Sequence, residues 1–301
     1  MSAKSDALGE FLRARRHVCQ PEDAGIFREP GRRVPGLRRD EVARLAGISA
    51  EYYLRLEQGR SARPSDQVLN ALARALHLDL DSRQYLFRLA SGDLPSPVVP
   101  AAESADRIAR ILGQWTHTPA YVSDSNRDIV AANPLASTFG HGGLSAGSNV
   151  VLDLFNDRMK RTLLEWEPMT LSSLAGLRRD ADPFSPRLKE ITDALSADSD
   201  FVQMWARYDV SGPEDAHIHM VVEDVGTLEI EVQNFAVRSM PGYLLTVLSA
   251  PPQSLTGVVF AHLAASFQTP SVSDTPERAM TTPDQTGVPV GTRTPTGPTV
   301  T

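Results

Sequence analysis

The 301 residues are enough for two domains, each with its own core. Hydrophobic residues make up 41% and charged residues 22%. That is an ordinary globular balance, with no apolar run near the roughly 20 residues that span a bilayer, and the one cysteine, Cys19, excludes an intrachain disulfide or a cysteine metal cluster.

The net charge of −7 is unevenly spread. Residues 1–90 carry 16 Lys and Arg against 12 Asp and Glu, which is +4, so the remainder is −11. Such asymmetry points to a nucleic-acid-facing segment joined to a segment with another task. The start, "MSAKSDALGEFLRARR", is polar and amphipathic and lacks the apolar centre of a secretion signal. The expectation is a cytoplasmic protein without a membrane partner.

Residues 1–91 read as a string of short helices. Leu8, Phe11 and Leu12 mark an apolar stripe on the first, Val42 and Leu45 on a second, and Ile48, Tyr53 and Leu56 on a third. Val68, Leu69, Leu72 and Leu76 mark a fourth, entered through Pro64 and a Ser65 N-cap. Tyr85, Leu86 and Leu89 mark a fifth, with Asp81 or Ser82 as its cap. Residues 92–104 have the Gly, Pro and Ser content of a linker.

Residues 105–252 mix the helical and strand periods. "AYVSDSNRDIVAAN" reads as two strands around the turn Asp124-Ser125-Asn126, and residues 157–208 as helices broken by prolines. In "GTLEIEVQNF", Leu228, Ile230 and Val232 alternate with Glu229, Glu231 and Gln233, as in a half-buried strand. "YLLTVLSAPP" is apolar enough to lie inside the same sheet. The expected fold is a helical domain followed by an α+β domain. Residues 253–301 read as one short helix and a tail. From 270 onward Thr and Pro supply 9 and 6 of 32 residues, and a disordered segment is expected.

The basic residues concentrate around "LRRDEVARLAGISAEYYLRLEQGR", residues 37–60. A helix-turn-helix needs a small residue where its helices touch and a residue tolerant of positive φ in the turn. Ala43 and Gly47 supply these, Ser49 caps the second helix and Gly59 ends it. From Ser49 to Glu57 that helix is about 14 Å long, which suits the major groove. Ala50, Glu51, Tyr52 and Arg55 face outward and are the expected base readers. Arg38, Arg39, Ser49, Arg60 and Arg63 flank them as phosphate contacts.

This run resembles the helix-turn-helix of lambda-repressor-like (XRE-type) regulators. The longer run from Leu8 to Asp79, with "YVSDSNRDIVAANPLASTF", "FVQMWARYDV", "VGTLEIEVQNF" and "LLTVLSAPP" in order, resembles the branch that carries an MmyB-like ligand-binding domain. The resemblance implies a dimeric regulator of double-stranded DNA. It implies a PAS-like second domain holding a small apolar, fatty-acid-like ligand, and an Arg13–Glu57 structural ion pair. The chain departs from the family in two places. Ala132 precedes Asn133-Pro134 where a Trp is usual, and "HIHMVVEDVG" replaces a basic-aromatic-basic-His-Pro run. Tyr121, Asn133, Phe155, Trp205 and Tyr208 are the candidate pocket residues, with plain core positions as the other reading of Trp205 and Tyr208.

Other chemistry is sparse. His217-x-His219 places two imidazoles on one strand face but has no third ligand, so no metal and no cofactor are expected. The glycine-rich "FGHGGLSAG" lacks Lys-Ser/Thr and a following phosphate-binding helix pattern and reads as a loop, and an enzyme is not expected. Two alternatives to the ligand sensor stay open: a second domain that only dimerises or binds a protein partner, and an enzyme with an accessory DNA-binding domain.

Overall fold

The computed structural model describes residues 3–28, 32, 34–61, 63–91, 108–238 and 240–268. The expected linker and the Thr/Pro-rich tail lie outside the described residues.

The first part is helical: α1 (Ala3–Val18), α2 (Arg39–Ala46), α3 (Ala50–Glu57), α4 (Asp66–Ala75) and α5 (Leu80–Ser91). Each presents one apolar stripe to a shared core, in which Phe11, Leu12, Val42, Tyr53, Leu72 and Leu86 are almost wholly buried. Local chemistry sets the helix starts. The Glu41 carboxylate accepts from the Arg38 backbone N–H at 2.6 Å, and Ser65 Oγ accepts from the Val68 N–H at 3.4 Å. The α5 cap is Asp79, whose Oδ1 accepts from the Ser82 N–H at 2.7 Å, rather than Asp81 or Ser82. Asp81 lies two residues past the cap and pairs with Arg179 instead.

After a helical stretch over 108–112 comes the sheet. Its strands are β1 (Ala120–Ser123), β2 (Ile129–Ala132), β3 (Ala216–Val222), β4 (Gly226–Ala236) and β5 (Leu244–Ser249). They form one antiparallel sheet in the order β2-β1-β5-β4-β3. The apolar β5 is therefore central, with pairs on both sides as its composition predicts, while β4 buries Leu228, Ile230 and Val232 and turns its glutamates outward. Between β2 and β3 run α6 (Pro134–Phe139), α7 (Val150–Leu154), α8 (Asp157–Thr162), α9 (Trp166–Asp180), α10 (Pro186–Leu195) and α11 (Ser199–Trp205). α12 (Leu255–Gln268) follows β5. This is the expected α+β arrangement, with one change of boundary. The expectation ended the domain at 252, yet α12 buries Phe260 and Ala264 against the sheet, and the Phe260 and Phe139 rings meet edge to face at 5.1 Å. The side chains that α12 buries are part of the sheet-side cluster, so α12 belongs to the domain core.

Candidate functional site

The turn between α2 and α3 has the expected geometry. Gly47 sits at φ 68°, and the Ile48 N–H reaches back to the Ala43 carbonyl at 3.0 Å, closing α2 in the left-handed conformation that glycine adopts without strain. Ala43 is buried at the helix crossing. Ser49 Oγ accepts from the Tyr52 N–H at 3.1 Å and starts α3. At its other end Gly59, φ 64°, lets the Arg60 N–H return to the Arg55 carbonyl at 2.9 Å. Tyr53 and Leu56 fill the core. Ala50, Glu51 and Arg55 are exposed and Tyr52 is half-buried, with the Arg55 guanidinium 5.9 Å from its ring centre. Arg38, Arg39, Ser49, Arg60 and Arg63 are all exposed around the same helix.

Glu57 anchors α3 from beneath. The expected partner, Arg13, is exposed and reaches only the Glu57 backbone carbonyl, at 3.2 Å. The carboxylate belongs instead to Arg16, whose Nε donates to Oε1 at 2.6 Å, and to Arg39, whose Nε donates to Oε2 at 2.7 Å. The side chains of Arg16 and Glu57 are 5% and 1% exposed, and Arg16 Nη1 also holds the Leu37 carbonyl at 3.1 Å. Helical spacing carries the reason: Leu8, Leu12 and Arg16 recur every fourth residue on the buried face, whereas Arg13 is rotated away. Burial pushes the Glu57 carboxyl up, but the hydrogen bonds from Arg16 and Arg39 outweigh it and hold the group below the usual carboxylate range. Arg39 spends its Nε–H on Glu57 and stays half exposed, which fixes it alongside α3.

In the second domain the five candidate pocket residues disperse. Tyr121 alone faces the sheet-side chamber. Asn133 is a structural staple: its Oδ1 accepts from Ala120 and Ala136, and its Nδ2 donates to the Trp115 and Thr118 carbonyls, so its side chain is fully occupied. Phe155 meets Trp166 and Phe201 edge to face in a helical core. Trp205 and Tyr208 flank the buried Arg178 guanidinium, 3.7 Å and 4.6 Å from their ring centres, and line a cavity of about 540 Å³ shared with Glu10 and Tyr85 of the helical domain.

The sheet-side chamber has two adjoining cavities. One, of about 70 Å³, is lined by Phe139, Leu154, Met159, Met220, Ile230 and Leu248 among others. The second, of about 50 Å³, is lined by Ser123, Arg127, Ser172, Ser173 and Thr246. They share Tyr121, Val150, Met169 and Val232 as walls. Beside the apolar cavity burial pushes the Asp153 carboxyl up, with Arg158 opposing. Three methionines line this apolar space, and their unbranched chains repack readily. No spacing in the sequence links these residues, which converge from β1, β3, β4, β5 and the helices only once the sheet has formed.

α9 connects the chamber to the helical domain. Met169, Ser172, Ser173 and Gly176 line the chamber from one end of this helix. At its other end the Arg178 and Arg179 carbonyls accept from Arg88 of α5, and Arg179 Nε pairs with Asp81 at 3.0 Å. Asp81 Oδ2 also accepts from the Gly212 N–H at 2.8 Å, and the Tyr208 hydroxyl donates to Glu10 at 2.6 Å. On the exposed edge strand β3, the His219 ring is engaged by Glu165 at 2.7 Å, and among the described residues no group of three metal-ligating side chains occurs. No helix among the described residues is long and apolar enough to cross a membrane.

No curated protein matches the chain. Residues 7–86 match a family described as a helix-turn-helix domain. Residues 105–262 match the MmyB-like transcription regulator ligand binding domain. Both are domains of DNA-binding regulators and neither is catalytic. The second match alone spans more than half of the 301 residues, and the chain therefore belongs to the MmyB-like transcription regulators.

Proposed function

We propose that the protein binds operator DNA as a homodimer through α3, and that a small apolar, fatty-acid-like molecule in the sheet-side chamber changes its affinity for that DNA. In this reading Ala50, Glu51, Tyr52 and Arg55 meet base edges in the major groove, Arg55 pairing with guanine. Arg38, Arg39, Ser49, Arg60 and Arg63 contact phosphates and set the register of the helix. A two-fold dimer places two such helices about 34 Å apart on a palindromic site. The exposure of all of these side chains except the half-buried Tyr52, around a helix buried on its opposite face, supports the DNA role.

One observation carries the regulatory part. α9 walls the chamber at one end and holds α5 at the other, so a ligand that shifts α9 acts on the helical domain through Arg88, Arg179 and Asp81. Coupling requires the ligand to bind the DNA-competent and DNA-incompetent arrangements unequally. The apolar cavity as it stands, about 70 Å³, is less than half of the roughly 150 Å³ that houses a benzene ring, so occupation entails movement of its walls. That same small volume favours the second reading, a domain that contacts only other protein chains.

Native mass spectrometry of the purified protein, followed by gel shifts of the delipidated protein with and without a fatty-acid panel, separates the two. A retained or added acid that changes operator affinity supports the sensor. Failure of every acid to bind leaves the partner module.

A further inference from the structure

The cavity at the seam of the two domains, about 540 Å³, is several times larger than either part of the chamber. It falls within the roughly 300–1,000 Å³ of small-molecule sites and lies at a domain boundary, where such sites are common. α1 and α5 bound it on one side, and α9, α10, α11 and their connections on the other. Tyr85, Pro183, Phe184, Pro186, Trp205 and Tyr208 give it rigid, ring-bearing walls.

On this space borders a buried cation without a counter-ion. Arg178 is 2% exposed; its Nη1 donates to the Asp209 carbonyl at 3.1 Å and its Nη2 to the Trp205 carbonyl at 2.6 Å. Nε is buried and has no hydrogen-bond partner among the described residues. The Asp209 carboxylate is held elsewhere, by Arg15 at 3.5 Å and Arg207 at 2.7 Å. The other buried arginines among the described residues, Arg16 and Arg127, each pair with a carboxylate, Glu57 and Asp180. Arg178 has only the ring faces of Trp205 and Tyr208 in that place. A buried charge left without an ionised partner is costly, as is a buried donor left unmade. Glu10 and Lys189, at the same cavity, are exposed and already engaged, by Tyr208 and Asp193.

We propose that the seam cavity is a binding site for a compact aromatic monocarboxylate, whose charge compensates Arg178 through the Nε–H and whose rings lie among the aromatic and proline walls. The space is more than three times the roughly 150 Å³ that houses a benzene ring, enough for a fused pair of rings. Ring edges against ring faces add contact energy, and a rigid body loses less freedom on binding than an acyl chain. With Nη1 and Nη2 spent on carbonyls, one donor and one positive charge call for a single negative charge. The cavity shares no wall residue with the chamber, so this site goes beyond the sensor reading and neither stands on the other.

The test compares naphthalene-2-carboxylate, its neutral carboxamide and dodecanoate binding to delipidated full-length protein by calorimetry. Wild type binds the aromatic acid about tenfold or more tighter than the amide, the margin of a charge-assisted hydrogen bond. Thr192→Trp, which fills the cavity from the half-buried side of α10, abolishes binding of the aromatic acid. Arg178→Met lowers the acid to the level of the amide. Circular dichroism verifies the fold of each variant, and the wild-type ratio with Thr192→Trp stands as the test if Arg178→Met does not fold. Dodecanoate, the probe of the chamber, is indifferent to Thr192→Trp. Failure of both aromatic compounds to bind wild type overturns the site, and equal binding of the two overturns the charge assignment. Aromatic acid binding that survives Thr192→Trp overturns its placement in the cavity, and acid preference that survives Arg178→Met overturns the role of Arg178. Loss of dodecanoate binding in Thr192→Trp overturns the separation of the two sites.

Discussion

A carboxylate buried between two guanidinium groups has given up hydration that only those groups replace. Glu57 is in that position, with Arg16 and Arg39 on its two oxygens. Removing one partner of a buried pair leaves an uncompensated charge, so Arg16→Ala should destabilise the protein by about 3–5 kcal/mol. Arg13→Ala, at an exposed residue on a backbone carbonyl, should cost no more than about 1 kcal/mol. Urea denaturation of both variants checks this, and equal losses would return Arg13 to the pair. Glu41 gives the corresponding pH dependence. Hydrogen bonds from Arg32 lower its pKa to about 2, outweighing desolvation. The unfolded chain then binds the proton first, near pH 4.3. Stability from this group is therefore complete above that pH and falls as pH drops towards about 2. A urea midpoint followed from pH 6 to pH 2 should decline through that window, and the decline should be shallower in Glu41→Gln.

At the scale of elements, α9 is where the two halves of the molecule meet. Arg88→Met removes the donor that α5 offers to the end of α9 while keeping an apolar side chain of similar length. Wild-type operator affinity should change on the order of tenfold with ligand. In Arg88→Met that change should shrink towards none, as read by fluorescence anisotropy. A full ligand effect in the variant would place the coupling elsewhere. The same elements explain what the sequence made legible. α3 was readable because its start, turn and stop are local: Ser49, Gly47 and Gly59 act on backbone groups within a few residues. β4 and β5 were readable because burial leaves a period of two or an apolar run. The Leu8–Leu12 spacing places Arg16 on the buried face, whereas the family resemblance implies Arg13. The chamber was not readable. Arg127 and the three methionines lie on separate elements, and nothing local distinguishes a pocket wall from ordinary core. Asn133 shows the converse, a polar residue beside a proline whose side chain is wholly spent on backbone groups.

At the scale of the whole molecule, a net charge of −7 coexists with a basic face because the two domains divide the work. The arginines collect around α3, where a polyanion would lie, and the acidic excess belongs to the domain that carries the chamber. In the proposed reading, electrostatic affinity for any duplex comes from the flanking arginines, and choice among duplexes from the outward side chains of α3. The most direct measurement is the affinity of wild type and Arg55→Ala for a selected operator and for its single base-pair variants. The account predicts that wild type loses about 1–3 kcal/mol when one particular G·C pair is replaced, and that Arg55→Ala becomes indifferent to that pair while still discriminating at the others. Equal weakening of Arg55→Ala on operator and random DNA, with its base preferences unchanged, would contradict it.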